Sequence, residues 1–389
     1  MSLPLSGIRV VEFVHTVMGP SCGLVLADLG ADVIKVEPIG GDHTRRLTAS
    51  GAGFFAMFNR NKRAIALDLK SPRGHAVARD LIAGADVMTE NFAPGTIERL
   101  KLGWEQLRET NPRLIFASLK GFLPGPYEHR TALDEVTQMM GGLAYMTGLP
   151  GRPMRAGSSV IDIAGGTYAA VAILAAIIQR ASTGRGVKVE SALFESTAFL
   201  VGQHMAYAAV NGKGMPPMSV RLSAWGIYDV FDLADGQLFL GLVTDNNFSR
   251  FCTEFALAEL AADPEFATNT LRVAAREKLV PIFQDFLRRF TLAEIVPRLE
   301  KAAVPFAEIK RPEDLFDDPH LNASDGLVPV TLPNGMVTKL PALPVAFDGA
   351  RLPRRHDLPG PGEHTDAILG ELGYDATRIA ALRAAGAVA

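Results

Sequence analysis

"GIRVVEFVHTVMGPSCGLVLADLGADVIKVE", residues 7–37, decides the fold. Its first part, "GIRVVEF" (7–13), is a short run rich in branched side chains and predicts a buried strand. "GPSCGLVLADLG" (19–30) spaces its apolar residues as a helix does and ends at Gly30, and "ADVIKVE" (31–37) returns to strand. The stretch is therefore one βαβ unit. The pattern continues with "RAIALDL" (63–69) as strand, "GHAVARDLIAGA" (74–85) as helix, and "DVMTENF" (86–92) and "RLIFASLKGF" (113–122) as strands. Strands alternating with helices predict an α/β fold with a doubly wound, mainly parallel sheet, whose ligands sit beyond the C-terminal ends of the strands.

Further along, the apolar tract around 168–178 is about half of the roughly 20 residues a membrane span needs, and reads as a buried helix. "GRGVKVESALFESTAFLVGQHMAYAAV" (184–210) reads as a strand and a second long helix. The glycines and prolines of 212–226 suit a linker. "WGIYDVFDLADGQLFLGLV" (225–243) predicts a hairpin with Asp235-Gly236 at its turn, followed by helices to about residue 302. The expected organisation is a large domain over 1–211, a linker over 212–226, a small α+β domain over 227–325, and a return to the large domain over 326–389.

With 48% hydrophobic and 21% charged residues and a formal net charge of -3, the chain has the composition of a soluble globular protein. No run of one sign points to nucleic acid or an anionic membrane. Two cysteines, Cys22 and Cys252, offer neither a disulfide framework nor metal-ligand spacing, and the start of the chain lacks a secretory pattern; a cytoplasmic setting is expected.

The first βα turn, "HTVMGPSCG", lacks the G-x-G-x-x-G fingerprint of dinucleotide sites, which leaves Glu37 little support as a ribose-binding acid. P-loop, G-x-S-x-G and H-E-x-x-H patterns are absent too. At the strand ends, Lys70, Arg99 and Lys120 are read as converging on phosphates or as separate surface charges. His15 lies in the first loop, as a ligand donor or a structural residue. Asp134 is read as orienting the helix that follows. Asp162 sits in "RAGSSVIDIAGGTYAAVAILAAI" (155–177) among small and apolar residues. Either it caps a helix beginning near Ile163, or it is a reagent. The two readings are compatible: the helix dipole would keep the carboxylate charged, Gly165 and Gly166 would leave room for a substrate, and such a carboxylate can attack an activated acyl carbon.

The segments "LADLGADVIKVEP", "FNRNKRAIALDLKSPRG", "DVMTENFAPGTIERLKLGW", "NPRLIFASLKGF", "GRGVKVESALFES" and "GEHTDAIL", taken in order, resemble the class III coenzyme A transferases, which include formyl-CoA:oxalate and carnitine-type CoA transferases. The resemblance spans nearly the whole chain. It implies a Rossmann-like large domain, a smaller α+β domain and an interlocked homodimer. It puts the nucleophile on Asp162 and CoA contacts on His15, Val17, Met18, Leu67, Asp68, Leu69, Lys70, Asn91, Phe92, Ala93, Arg99 and Lys120. No metal and no cofactor are implied beyond the acyl-CoA substrate, and the partners are an acyl-CoA, a free carboxylic acid and a second copy of the chain.

The mechanism implied by the resemblance runs from an aspartyl anhydride to an aspartyl-CoA thioester and a second anhydride that releases the new acyl-CoA. Formyl-CoA transferases carry glutamine where this chain has Val17, arginine where it has Pro38, and a glycine-rich loop not found between 220 and 250. A small dicarboxylate is the expected acid, with Arg152, Arg155 and Arg221 as candidates for its distal carboxylate. Acyl-CoA racemases share the fold and are the alternative, but their histidine base falls on Leu133 of "RTALDEVTQ".

Overall fold

The computed structural model describes residues 3–389. Strand β1 (Arg9–Phe13) passes through a loop over 14–17 into helix α1 (Met18–Asp28), and β2 (Asp32–Glu37) completes the expected βαβ unit. There follow β3 (Lys62–Ala66), α2 (Pro72–Ala83), β4 (Val87–Glu90), α3 (Trp104–Thr110), β5 (Ile115–Lys120), α4 (Asp134–Met140), α5 (Val160–Thr183), β6 (Lys188–Ala192) and α6 (Leu193–Asn211). The six strands lie in the order β3-β2-β1-β4-β5-β6, each pair parallel. From β1 the chain first winds outward through β2 and β3, then crosses to β4 on the other side. That reversal opens a crevice between the C-terminal ends of β1 and β4.

Alternation along the strands divides the core. Val11, Phe13, Ile34, Val36 and Met88 face Val77, Leu81 and Ile82 of α2, whereas Val10, Val33, Val87 and Ile115 face Met18, Cys22 and Leu26 of α1 and Ile161, Ala169 and Ile173 of α5. The "NRNKR" stretch is buried and holds this arrangement together. Arg60 and Asn61 both bond to Asp28 at 2.7 and 2.8 Å, and Lys62 bonds to Glu12 at 2.8 Å. Arg63 joins Asp32 to Glu371 in the tail. This motif is one of the segments that carry the resemblance, and its side chains bind the protein's own carboxylates.

Helix α5 corrects one expectation. It has 24 residues, is long and apolar enough to cross a membrane, and is buried along one face only. Val171 and Ile178 on its outer face are 58% and 74% exposed.

The described chain forms two compact units: residues up to 219 with 319–389, and residues 220–318. Residues 319–325 thus belong to the larger unit and not to the smaller one as expected. The smaller unit pairs β7 (Ile227–Asp232) and β8 (Gln237–Leu242) in an antiparallel hairpin closed by Leu233 N–H on Gly236 O, and β9 (Phe306–Glu308) adds to β8. Helices α7 (Asp245–Glu254), α8 (Arg276–Leu287) and α9 (Leu292–Ala302) cover it around Phe231, Phe251 and Phe283. In the larger unit, the tail helices α10 (Thr365–Glu371) and α11 (Ala376–Ala384) pack on the α2 face of the sheet, and Val388 pairs with Leu67.

Candidate active site

A cleft of about 670 Å³ opens at the C-terminal ends of β1–β4, beside the reversal of the sheet, and is the size of a typical ligand pocket. Phe13, Val36, Leu67, Leu69, Phe92 and Leu100 make its walls apolar, while His15, Asp42, His43, Asp68, Lys70 and Thr96 supply polar groups. Three loops are stitched together to form it. Asn91 accepts the N–H of His15 at 3.0 Å and donates to its carbonyl at 2.9 Å, tying the loop after β4 to the loop after β1. Thr16, in the left-handed region at φ 65°, donates its N–H to Thr44 Oγ1 at 3.0 Å. Thr44 is held by Asp42, and Lys35 bridges Asp42 Oδ2 at 2.9 Å and Val14 O at 2.8 Å. The His15 ring lies 5.2 Å from that of His43 and 6.3 Å from that of Phe92. Burial first, then the neighbouring His43, lowers its pKa and favours the neutral imidazole.

Of the residues anticipated from sequence, the structure gathers His15, Leu67, Asp68, Leu69, Lys70 and Phe92 on the cleft. Arg99 stands exposed at its rim, with Nη2 on the hydroxyl of the lining Thr96 at 2.7 Å. Ala93 is exposed nearby. Asn91 acts through the backbone of His15, and Val17 and Met18 are buried in apolar clusters. Lys120 does not join Lys70: its Nζ is 2.6 Å from Oε1 of the fully buried Glu90, which also accepts from Ser118. Of the three cations read as converging on phosphates or as separate surface charges, Lys70 lines the cleft, Arg99 stands at its rim and Lys120 pairs with the buried Glu90. Glu37, which also lines the cleft, is likewise engaged, by Arg45 and by the N–H of Asp42. Sequence reading missed Asp42, His43, Thr96, Leu100 and Gly386. The strand-end rule pointed to the loops after β2 and β4, whereas nothing in the sequence signals that Gly386, near the end of the chain, meets them. Among the described residues no group of His, Cys, Asp and Glu is arranged to hold a metal.

Asp162 belongs to the first turn of α5, but the helix begins at Val160 after Ser159, so Asp162 is not its cap. The capping carboxylate comes from α4. Asp134 Oδ2 accepts the N–H groups of Ile161 at 2.9 Å and Asp162 at 3.1 Å, and Oδ1 accepts from Gln138. Glu135 of the same helix pairs with Arg155. Burial, and then the charges of Asp134 and Glu135, push the Asp162 carboxyl up to about 7, against the pull of Arg155. Burial first, and then the two neighbouring anions, thus work against the charge that the helix dipole was expected to keep on Asp162.

Gly165 and Gly166 have a different use from the one expected. A Cβ on Gly166 would lie 2.0 Å from Ser21 Oγ and 2.5 Å from Met18 O, so the glycine lets α5 lie directly on α1. One on Gly165 would meet Met18 Cε at 2.6 Å. This contact seats the turn carrying Asp162 against the start of α1, which follows immediately from the His15 loop. Leu133, just before Asp134, is 62% exposed and has no group to take a proton. Arg152 is exposed, Arg155 is held by Glu135, and Arg221 belongs to the smaller unit.

Residues 5–365 match the family model described as CoA-transferase family III. Among curated proteins, a succinate–glutarate CoA-transferase of Agrobacterium fabrum is 37% identical, over 95% of this chain and 96% of that one. The beta subunit of a succinyl-CoA–L-malate CoA-transferase of Chloroflexus aurantiacus is 34% identical, over 95% and 94%. The crystal structure of a CAIB/BAIF family protein from Brucella suis superposes with a TM-score of 0.85 at 34% identity, covering 96% of this chain and all of that one. The strand-end cleft, the full-length match and the shared fold agree: this chain is an enzyme of CoA-transferase family III.

Proposed function

We propose that the enzyme moves CoA from an acyl-CoA thioester to a free dicarboxylic acid through covalent intermediates on Asp162. The observation that carries this is the placing of Asp162 in the first turn of α5, packed directly on α1 and beside the buried Asp134 carboxylate, where burial and like charges push its own carboxyl up to about 7. An anion disfavoured by burial and by like charges gains by becoming a neutral acyl group. In this reading Asp162 attacks the donor thioester and releases CoA thiolate from a mixed anhydride. The thiolate then attacks the aspartyl carbonyl, releasing the donor acid and leaving aspartyl-CoA; the acceptor carboxylate displaces the thiolate to give a second anhydride, and the thiolate attacks its acyl carbonyl, forming the new acyl-CoA and freeing Asp162. Water must stay out while the anhydride exists.

The apolar walls of the cleft, with Lys70 and Arg99 at its edge, suit the adenosine and phosphates of CoA. Relatives named for glutarate and L-malate support a dicarboxylate acceptor. On the two long helices, Val171, Ile178, Phe199, Met205 and Val210 are 58–84% exposed, an apolar face that suits burial against a second copy of the chain in a homodimer. We place the reaction in the cytoplasm, where the buried free thiols Cys22 and Cys252 stay reduced.

The test is incubation with a panel of acyl-CoA donors and carboxylic acids, with mass spectrometry of new thioesters. Asp162→Ala should abolish transfer and leave CoA binding largely intact. α-Proton exchange from deuterated water without any new thioester would instead make the enzyme a racemase, a reading Leu133 gives no base to support.

A further inference from the structure

Asp134 is 3% exposed and is not among the residues that line the cleft. It nonetheless controls the turn that carries Asp162. Its Oδ2 accepts two N–H groups, one of them from Asp162 itself, and its Oδ1 accepts from Gln138, whose own oxygen accepts the N–H of Ala156 at 2.8 Å. One buried pair from α4 thus anchors the chain at Ala156 and again at residues 161–162. Asparagine or serine caps a helix about as well as aspartate. A carboxylate adds a negative charge beside another carboxylate, which is unfavourable for both as anions.

We propose that Asp134 is a positioning residue that fixes the Asp162 turn and whose negative charge drives acylation of Asp162. The inference rests on Asp162 being the nucleophile. In the acylation step, an Asp162 oxygen forms a bond to the thioester carbonyl carbon, the C–S bond breaks, and its electron pair leaves on the CoA thiolate. Asp162 passes from anion to neutral anhydride. Repulsion from Asp134 is present before the step and absent after it, so it raises the reactant and not the product. The more basic carboxylate is also the stronger nucleophile. Among the groups acting on Asp162, Glu135 of α4 reinforces Asp134, and Arg155 of the preceding loop opposes both. From α1 the neighbour is the neutral Ser21 hydroxyl, 3.5 Å from the Asp162 carbonyl.

Asp134→Asn keeps an oxygen for the two N–H groups and removes the charge, while Asp134→Ser is a shorter neutral cap should the amide disturb Gln138. With succinyl-CoA as donor and glutarate as acceptor, two quantities are read: the pH profile of kcat, and the fraction of Asp162 converted to hydroxamate on quenching with hydroxylamine. The acid limb should move to lower pH by about one unit or more, and the acylated fraction should fall about tenfold, with the KM for acyl-CoA within about twofold of wild type. An unmoved limb or an unchanged acylated fraction in a folded variant overturns the inference. So does failure of both variants to fold, which would make Asp134 purely structural. If wild-type Asp162 is never labelled, the nucleophile assignment itself fails, an outcome distinct from either.

Discussion

Replacing Asp162 by asparagine should stabilise the protein in a pH-dependent way. The folded Asp162 carboxyl titrates at about 7 against an ordinary value of 3.8, so the folded state holds this proton more tightly than the unfolded chain. The stability that proton supplies is full below pH 3.8 and is lost as pH rises through about 7. At about 1.36 kcal/mol per pH unit, that interval corresponds to an upper bound of about 4 kcal/mol. Partial solvent access reduces it, and about 2 kcal/mol is the working figure. Asparagine has no proton to lose, so Asp162→Asn should gain on wild type by about this amount between pH 4 and pH 8. For a chain of this length, the gain in Tm should grow by roughly 2–4 °C over that range. Paired thermal melts of wild type and variant at several pH values read the difference directly. A difference constant with pH would refute the claim that burial and the Asp134 and Glu135 charges oppose the ionised form.

Further outcomes follow from the packing and the cleft. Gly166→Ala should cost about 3 kcal/mol and lower Tm clearly, because Met18 O is backbone and cannot turn aside, whereas Gly165→Ala, which meets only the mobile end of Met18, should cost less. Lys70→Ala should raise the KM for acyl-CoA several-fold at unchanged Tm, with an effect that shrinks in high salt. Lys120→Ala should act mainly on stability, by about 3 kcal/mol in denaturant titrations, since it leaves the buried Glu90 unpaired.

The sheet was legible because its inner strands are buried on both faces, so their apolar runs stand out from the helices on either side, as "VVEF" and "VIKV" do. The cleft followed from the same reading, since strand ends can be located once strands are known. Contacts between residues far apart in the chain escaped it. A lone aspartate before a helix in sequence looks like a cap, and only the fold brings in Asp134 from another helix to take that role and oppose the charge of Asp162. Gly165 and Gly166 looked like space for a substrate because a sequence does not show that α1 fills it. Lys120 looked like its neighbours Lys70 and Arg99 until the partner Glu90, thirty residues earlier on the next strand, came into view. The long α5 read as a buried tract because alanine is at home on either side of a surface helix, and its outward Val171 and Ile178 look like core residues in a sequence that does not say which face of the helix is covered.

The most direct test of the account is to quench the enzyme with hydroxylamine during turnover of an acyl-CoA and map the modified peptide by mass spectrometry. A single hydroxamate is expected, at Asp162, that appears only when acyl-CoA is present and is missing from Asp162→Ala. Steady transfer with Asp162 unmodified, or with the label on another carboxylate, would contradict it.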